Sequence, residues 1–157
     1  MKFLKGFTFL LVILQSCSLD RDTSEITDSY TVGETKLDLV KENDSTAFLN
    51  ITREGIVTQN KLKIKPPCYF LRKGGKVQDY SFLGVEAQHV LIVAGTMATK
   101  DRKKKFSLKN EEVCGSEAQG IVFEYEKVKV TEKVFSGNVY CKDLGVDNLY
   151  FWNASHN

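Results

Sequence analysis

Hydrophobic residues along much of this chain recur at every second position, in short runs separated by Gly, Pro or Asn. The alternation is clear in residues 61–65, where Leu62 and Ile64 stand between lysines, and again in residues 120–134. A period of two is typical of a β-strand with one buried and one solvated face. The chain is therefore predicted to be mainly β, a small antiparallel sandwich or barrel-like domain with or without one short helix.

Three local patterns refine this prediction. Residues 89–96 are the most apolar run outside the N-terminal segment, which predicts a central strand buried on both faces. The pair Gly74-Gly75 between two β-prone runs, residues 68–72 and 76–82, predicts a hairpin with a tight turn. The apolar positions change parity between residues 125 and 128, which predicts a bulge or a break in the strand.

The first sixteen residues have the order of a secretory signal peptide. A basic start, with Lys2 and Lys5, precedes an apolar run over residues 7–14, and small or polar residues then lead to Cys17. This run is well short of the roughly 20 residues that a helix needs to span a bilayer. Residues 1–16 are therefore interpreted as a removable signal and are excluded from the fold.

The segment that ends at Cys17 reads Leu14-Gln15-Ser16-Cys17 and resembles the lipobox of bacterial lipoproteins. The resemblance implies cleavage before Cys17, a diacylglycerol on its sulfur and an acylated amino group. Several acyl chains anchor a protein stably in a membrane, whereas a single chain binds only marginally. Ser18 stands where enteric lipoproteins retained in the inner membrane carry Asp, so the resemblance implies the outer membrane, with the domain facing the periplasm. The likeness covers these residues alone and does not extend to the folded domain.

An ordinary secreted protein is the alternative, with Cys17 as a half-cystine in place of a lipid site. Three Asn-x-Ser/Thr sequons, at Asn43, Asn50 and Asn153, would suit a secreted glycoprotein. About one sequon is expected by chance from a motif this permissive. The excess keeps the alternative open without displacing the lipoprotein interpretation.

The other three cysteines are Cys68, Cys114 and Cys141. If Cys17 carries lipid, an oxidising compartment favours one disulfide and one free thiol among them. Cys114 with Cys141 is the favoured pair, because each lies beside a predicted strand and the residues between them look like one long hairpin. Cys68 with Cys114 is the alternative, and sequence alone does not choose between them.

Length and composition indicate one folded domain. The chain has 157 residues, 42% of them hydrophobic, with a net charge of +2, which excludes a disordered chain. Residues 17–29 are polar and acidic, which predicts the lipidated cysteine followed by a flexible tether. Residues 30–157 are predicted to form the single β-rich domain.

Without Lys2 and Lys5 the 22 basic residues fall to 20, equal to the 20 acidic ones, and this balance argues against nucleic-acid binding.

Few residues suggest catalysis or metal binding. The two histidines, His89 and His156, form no metal-ligand motif, and the sequence contains no nucleophile elbow, phosphate-binding loop or dinucleotide fingerprint. The one catalytic hypothesis has His89 as a base for Cys68 or Cys114, which need only be its neighbours in the fold. A histidine at the start of a strand, with its hydrogen bonds satisfied, is the favoured interpretation. The sequence thus predicts a protein that is not an enzyme and holds no cofactor and no metal.

The charges are segregated along the chain. Residues 20–44 are mainly acidic, whereas residues 53–76 and 100–105 are mainly basic. If the two basic stretches meet in the fold, they form a face suited to an acidic protein or an anionic envelope component. The predicted partner-binding residues are Lys61, Lys63, Lys65, Arg72, Lys73, Lys103, Lys104 and Lys105. In the alternative, these side chains only protect a strand edge and a loop tip.

These features together predict an envelope lipoprotein that acts as a non-catalytic binding module. Immunity proteins and inhibitors directed against an envelope-acting toxin or hydrolase are one class that suits this size and location, by analogy alone. A structural or assembly lipoprotein of the envelope and a secreted, disulfide-stabilised protein are the alternatives.

Overall fold

A computed structural model describes residues 24–125 and 127–156. Two antiparallel sheets pack face to face, and a short helix covers the outer face of the second sheet. The predicted signal peptide, the lipobox-like segment and Cys17 lie outside the described residues. Within these residues, every helix is too short or too polar to cross a bilayer.

The first sheet is a four-stranded meander. Its strands, in spatial order, are β1 (Glu25–Val32), β2 (Thr35–Asn43), β3 (Thr46–Arg53) and β4 (Ile56–Lys61). The alternating apolar residues of β2 and β3 point toward the second sheet, with Leu37, Leu39 and Leu49 fully buried. β4 is an edge strand, and almost all of its residues are exposed.

The second sheet is centred on the apolar run predicted to be a central strand. Its strands are β5 (Tyr69–Phe70), β8 (Tyr80–Phe82), β9 (Ala87–Met97), β10 (Cys114–Glu124), β11 (Lys127–Phe135) and β12 (Tyr140–Cys141), while β6 (Arg72–Lys73) and β7 (Lys76–Val77) form a separate hairpin. β9 pairs with β10 on one side and with β5 and β8 on the other. Residues 90–95 of β9 are buried, as both of its faces are covered.

Two α-helices and one 3₁₀ turn complete the described part of the chain. The 3₁₀ turn is Leu83–Val85, and the helices are α1 (Lys100–Lys105) and α2 (Asn148–Ser155). α2 places Phe151 and Ala154 on the outer face of the second sheet, against side chains that include Val90 and Val122. The sequence allowed for one short helix without placing it at α2, because the four aromatic and apolar residues in a row there show no helical spacing.

The predicted fold class and the favoured disulfide are confirmed. The strands form an antiparallel sandwich, and within the described residues the two sheets do not join into a closed barrel. Cys114 and Cys141 are directly opposite in the ladder of β10 and β12 and are joined by a disulfide. The alternative pairing of Cys68 with Cys114 is wrong, since Cys68 is a buried free thiol.

The domain begins earlier than predicted. β1 starts at Glu25, within the stretch of residues 17–29 that was interpreted as a tether. The acidic residues there suggested a solvated chain, but the Asp28 carboxylate accepts hydrogen bonds from the Arg72 guanidinium and from the backbone N–H of Phe70. Thr27 also donates a hydrogen bond from Oγ1 to the carbonyl oxygen of Cys68, 2.7 Å away.

Residues 61–65 keep their predicted alternation without forming a strand. β4 ends at Lys61, and the following residues cross from the first sheet to the second, with Leu62 and Ile64 buried. The Leu62 N–H bonds to Ala47 of the first sheet, and the Lys63 N–H bonds to the side chain of Gln119 in the second. An extended segment that crosses between the two sheets has one side toward the core and one toward solvent. Its buried and exposed residues therefore alternate with the same period of two as those of a strand.

The predicted hairpin at Gly74-Gly75 and the predicted break between residues 125 and 128 both differ in detail from the structure. Gly74 and Gly75 have φ of 60° and 77°, the left-handed conformation that a tight turn requires, but only four residues pair around them. The flanking strands, β5 and β8, pair with β9 instead. The parity change is a hairpin turn at Tyr125 between β10 and β11, and the bulge lies farther along this ladder, between Gln119 and Ile121.

Candidate functional site

Most of the predicted basic residues gather at the end of the sandwich where β1 begins. Glu25 pairs with Lys41, Lys41 pairs with Ala47, and Ala47 accepts the Leu62 N–H, so residues 61–65 lie at the same end as the start of β1. We call this the basic end. Its exposed lysines are Lys61, Lys63, Lys65, Lys100, Lys104 and Lys105.

The link between the two basic stretches is a pair of hydrogen bonds. The Thr96 N–H donates to the carbonyl oxygen of Lys65 at 2.6 Å, and the Lys65 N–H donates to Thr96 Oγ1 at 3.0 Å. Thr96 lies four residues before Lys100, where α1 starts. The sequence could not show this contact, because Lys65 and Thr96 are 31 residues apart.

Four of the eight predicted partner-binding residues have other positions or partners. Lys103 is only 7% exposed, and its ammonium donates to the carbonyl oxygens of Asn110 and Glu112. The Arg72 guanidinium is bonded to the Asp28 carboxylate. Lys73 is exposed beside the Gly74-Gly75 turn. Lys63 is at the basic end but forms an ion pair with Glu132, so its charge is partly offset.

The segment that carries α1 is held rigidly. Thr99 caps the helix, accepting the Arg102 N–H at its side chain, and the buried Lys103 ties the helix to the chain that follows. The Cys114–Cys141 disulfide forms the base of a small apolar cluster beneath, with Ala98, Leu108 and Val139. Glu112 lies close enough to these cysteines for a shared metal, but their sulfur atoms are bonded to each other.

The opposite end of the sandwich is formed by turns and contains an open cavity. The cavity has a volume of about 300 Å³ and is lined by the β1–β2 turn, the β3–β4 turn and the facing parts of β9 and β10. We call this the turn end. Its lining includes Val32, Glu34, Arg53, Glu54, His89, Phe123 and Tyr125. Sequence reasoning missed it, because each turn contributes only one or two residues with no motif of their own.

His89 lines this cavity and is fixed by two neighbours. Its Nδ1 lies 2.8 Å from Asp79 Oδ2, and its ring stands edge-on to Phe123 with ring centres 5.6 Å apart. Burial raises the pKa of Asp79, although the His89 contact opposes the shift. A histidine near the start of a strand with a hydrogen-bond partner is what the sequence favoured.

The structure does not bring His89 to either cysteine proposed as its nucleophile. His89 pairs with Phe123, nine residues along β10 from Cys114, a separation of about 30 Å in an extended strand. Cys68 adjoins Tyr69, whose partner Ala94 is five residues from His89 along β9, or about 17 Å. Burial raises the pKa of the Cys68 thiol to about 12, so its reactive thiolate is disfavoured at neutral pH.

The comparisons with known proteins identify no relative. No protein-family model matches the chain, and no curated protein or solved structure is detectably similar to it.

Proposed function

We propose that this protein is a lipid-anchored, non-catalytic binding module of the bacterial cell envelope, and that its basic end binds an anionic envelope component. The observation that carries the proposal is the position of the basic end. The exposed lysines of two separate stretches of sequence lie at the end of the sandwich where the chain enters the fold from Cys17.

The short spacing supports contact with a membrane surface. Cys17 lies eight positions before Glu25, the first residue of β1, and so short a segment reaches at most about 28 Å. An acylated Cys17 would therefore keep the basic end close to the lipid headgroups. Each lysine near an anionic membrane surface contributes about 1 kcal/mol of attraction.

The lysines of α1 support an anionic ligand. Lys100, Lys104 and Lys105 have no ion-pair partner among the described residues, and Asp101 is the single acidic residue of α1. The helix cap, the buried Lys103 and the nearby disulfide fix the backbone positions from which these lysines extend, so the backbone loses little entropy on binding.

The anchor is tested by the intact mass of the mature protein from its bacterial host, with and without Cys17→Ala. The proposal expects an acylated chain that begins at Cys17 and a loss of that species in the variant. An unacylated chain, or one that carries glycan mass, would instead support the secreted alternative.

The basic end is tested by vesicle sedimentation with the chain from Ser18 onwards, which has no anchor of its own. Vesicles rich in phosphatidylglycerol should bind the chain, and purely zwitterionic vesicles should not. Lys104→Glu with Lys105→Glu should weaken binding tenfold or more, since two attractive charges become repulsive. Lys127→Glu with Lys129→Glu, on exposed positions of β11 nearer the turn end, is the matched control. Equal losses in both variants would show a nonspecific charge effect and refute the assignment.

A further inference from the structure

We propose that the turn end is a second binding surface, which docks a basic region of another protein and accepts one of its apolar side chains in the cavity. This goes beyond the proposed function, because it concerns the end of the sandwich farthest from the start of β1. It depends neither on the lipid anchor nor on the lysines of the basic end.

The first observation is a concentration of exposed apolar side chains around one cavity. Ile56 is 69% exposed, Tyr125 is 61% exposed, and Val57 follows Ile56 in the edge strand. Tyr125 lines the cavity directly, while Ile56 lines an adjoining depression of about 280 Å³ that shares Arg53 and Glu54 with it. Single exposed apolar residues are ordinary, but a cluster around a cavity is typical of a protein-binding site.

The cavity itself suits an apolar side chain. Val32 and Phe123, both nearly fully buried, contribute apolar surface to it, and the His89 ring lies against Phe123. Its volume is at the lower limit for small-molecule sites, and it is open to solvent. One aliphatic or aromatic side chain of a partner would fill it and exclude water from its floor.

The charges around the cavity identify the chemistry of the partner. The exposed carboxylates of Glu34 and Glu54 lie on two of the turns, and Glu86 precedes β9 at the same end. Arg53 uses its Nε to donate to Thr35 at 3.0 Å. Lysine or arginine side chains of a partner would find complementary carboxylates here, which favours a basic partner over an acidic one.

The exposed tyrosine lies beside a carboxylate. The Tyr125 hydroxyl is hydrogen-bonded to the Glu86 carboxylate, which raises the pKa of Tyr125. Tyr125, Glu86 and Glu54 all have positive φ, of 53°, 59° and 50°, a backbone conformation that side chains larger than Asn rarely adopt. Tyrosine is a common anchor residue of protein interfaces.

The test uses the ¹⁵N-labelled chain from Ser18 onwards and three nine-residue peptides. The first has a central Trp flanked by lysines, the second has the same Trp flanked by glutamates, and the third has lysines around a central Gly. The proposal expects the first peptide alone to bind tightly enough to shift amide signals, and expects those shifts at Gly33, Glu54, His89 and Tyr125.

Two variants make the test specific. Glu34→Lys with Glu54→Lys should weaken binding of the first peptide at least tenfold, and these residues are chosen because Glu86 also holds Tyr125. Lys104→Glu with Lys105→Glu, at the basic end, should leave that binding unchanged. If the variant with Glu34→Lys and Glu54→Lys loses the folded spectrum, Glu34→Lys alone gives the same test with a smaller expected loss of binding.

Several results would overturn the proposal. These are no binding, shifts confined to another surface, or equal binding of the glutamate-flanked or Gly-centred peptide. Concentration-dependent shifts at the turn end without any peptide would show that a second copy of this chain occupies it instead. None of these results bears on vesicle binding at the basic end, so the two proposals can fail separately.

Discussion

Asp28 of β1 and Arg72 of β6 form a two-point ion pair that ties the first strand of the fold to the β6–β7 hairpin. Arg72 Nη1 lies 2.6 Å from Asp28 Oδ2, and Nη2 lies 2.7 Å from Oδ1. The same carboxylate accepts the Phe70 N–H at 3.0 Å. Both side chains are largely buried, so the pair is shielded from solvent screening and each partner depends on the other.

The pair predicts a specific loss of stability in acid. Burial alone would raise the pKa of Asp28, but the Arg72 and Phe70 hydrogen bonds and the nearby positive charges hold it below its ordinary value. A depressed pKa contributes stability that is complete above the unfolded value of about 3.9 and is lost as the pH falls through the folded value. Asp28→Asn should therefore cost roughly 2 to 3 kcal/mol at pH 7.

Urea unfolding of both proteins between pH 2 and pH 7 measures this effect. The difference between wild type and Asp28→Asn should shrink below about pH 4, as the wild-type carboxylate takes up its proton. Asp44→Asn, which removes an exposed partner of Lys41, is the control and should show no comparable change. A difference that stays constant across the pH range would contradict the ion-pair explanation.

Lys103 is predicted to act in folding rather than in partner binding. Lys103→Met keeps the length of the side chain but leaves the carbonyl oxygens of Asn110 and Glu112 without their buried donor. We expect a loss of about 2 kcal/mol in the free energy of unfolding. Hydrogen exchange should become faster in residues 99–112, which this contact holds together.

Lys104→Met is the matched control, because Lys104 is the exposed neighbour of Lys103 on α1. It should leave stability nearly unchanged and weaken vesicle binding modestly. The opposite pattern, with Lys103→Met stable and defective in vesicle binding, would restore Lys103 to the binding face.

The count of reactive thiols reports on all four cysteines at once. In the native mature protein, Cys68 should not react with a thiol reagent at pH 8, because it is buried and its pKa is raised to about 12. Unfolding without reduction should release one thiol, that of Cys68, and reduction should add the two from Cys114 and Cys141. Two thiols before reduction would mean that Cys17 carries no lipid.

The sequence predicted those parts of the fold that depend on local pattern. The buried central strand followed from an unbroken apolar run, and the Cys114–Cys141 pair followed from two cysteines beside the strands of one hairpin. The early start of the domain was missed because Asp28 looks solvated until its distant partner Arg72 is known. Lys103 was assigned to the surface for the same reason, since its acceptors are backbone carbonyls that carry no sequence signature.

The two ends of the sandwich also differ in how far the sequence predicts them. The basic stretches were visible in the sequence, and the contact of Lys65 with Thr96 explains why they meet. The turn end was not predictable, because residues as distant as Glu34 and Tyr125 come together only when the sheets pack. A charge run can be detected by composition, whereas a cavity between turns depends on the register of every strand that leads to it.

The close contact between Gly120 and α2 predicts that packing at this point stabilises α2 on the sheet. A Cβ atom on Gly120 would lie 2.7 Å from the Ala154 Cβ and 2.8 Å from Thr131 Cγ2, so Gly120→Ala must displace α2 or β11. Overpacking of this kind costs about 1 to 3 kcal/mol. Trp152 is the single tryptophan of the chain and lies on α2, so its fluorescence should change together with the loss of stability. Gly84→Ala is the control, because a Cβ there meets nothing within 4 Å. If Gly120→Ala matched Gly84→Ala in both stability and fluorescence, α2 would not rest on the sheet at this point.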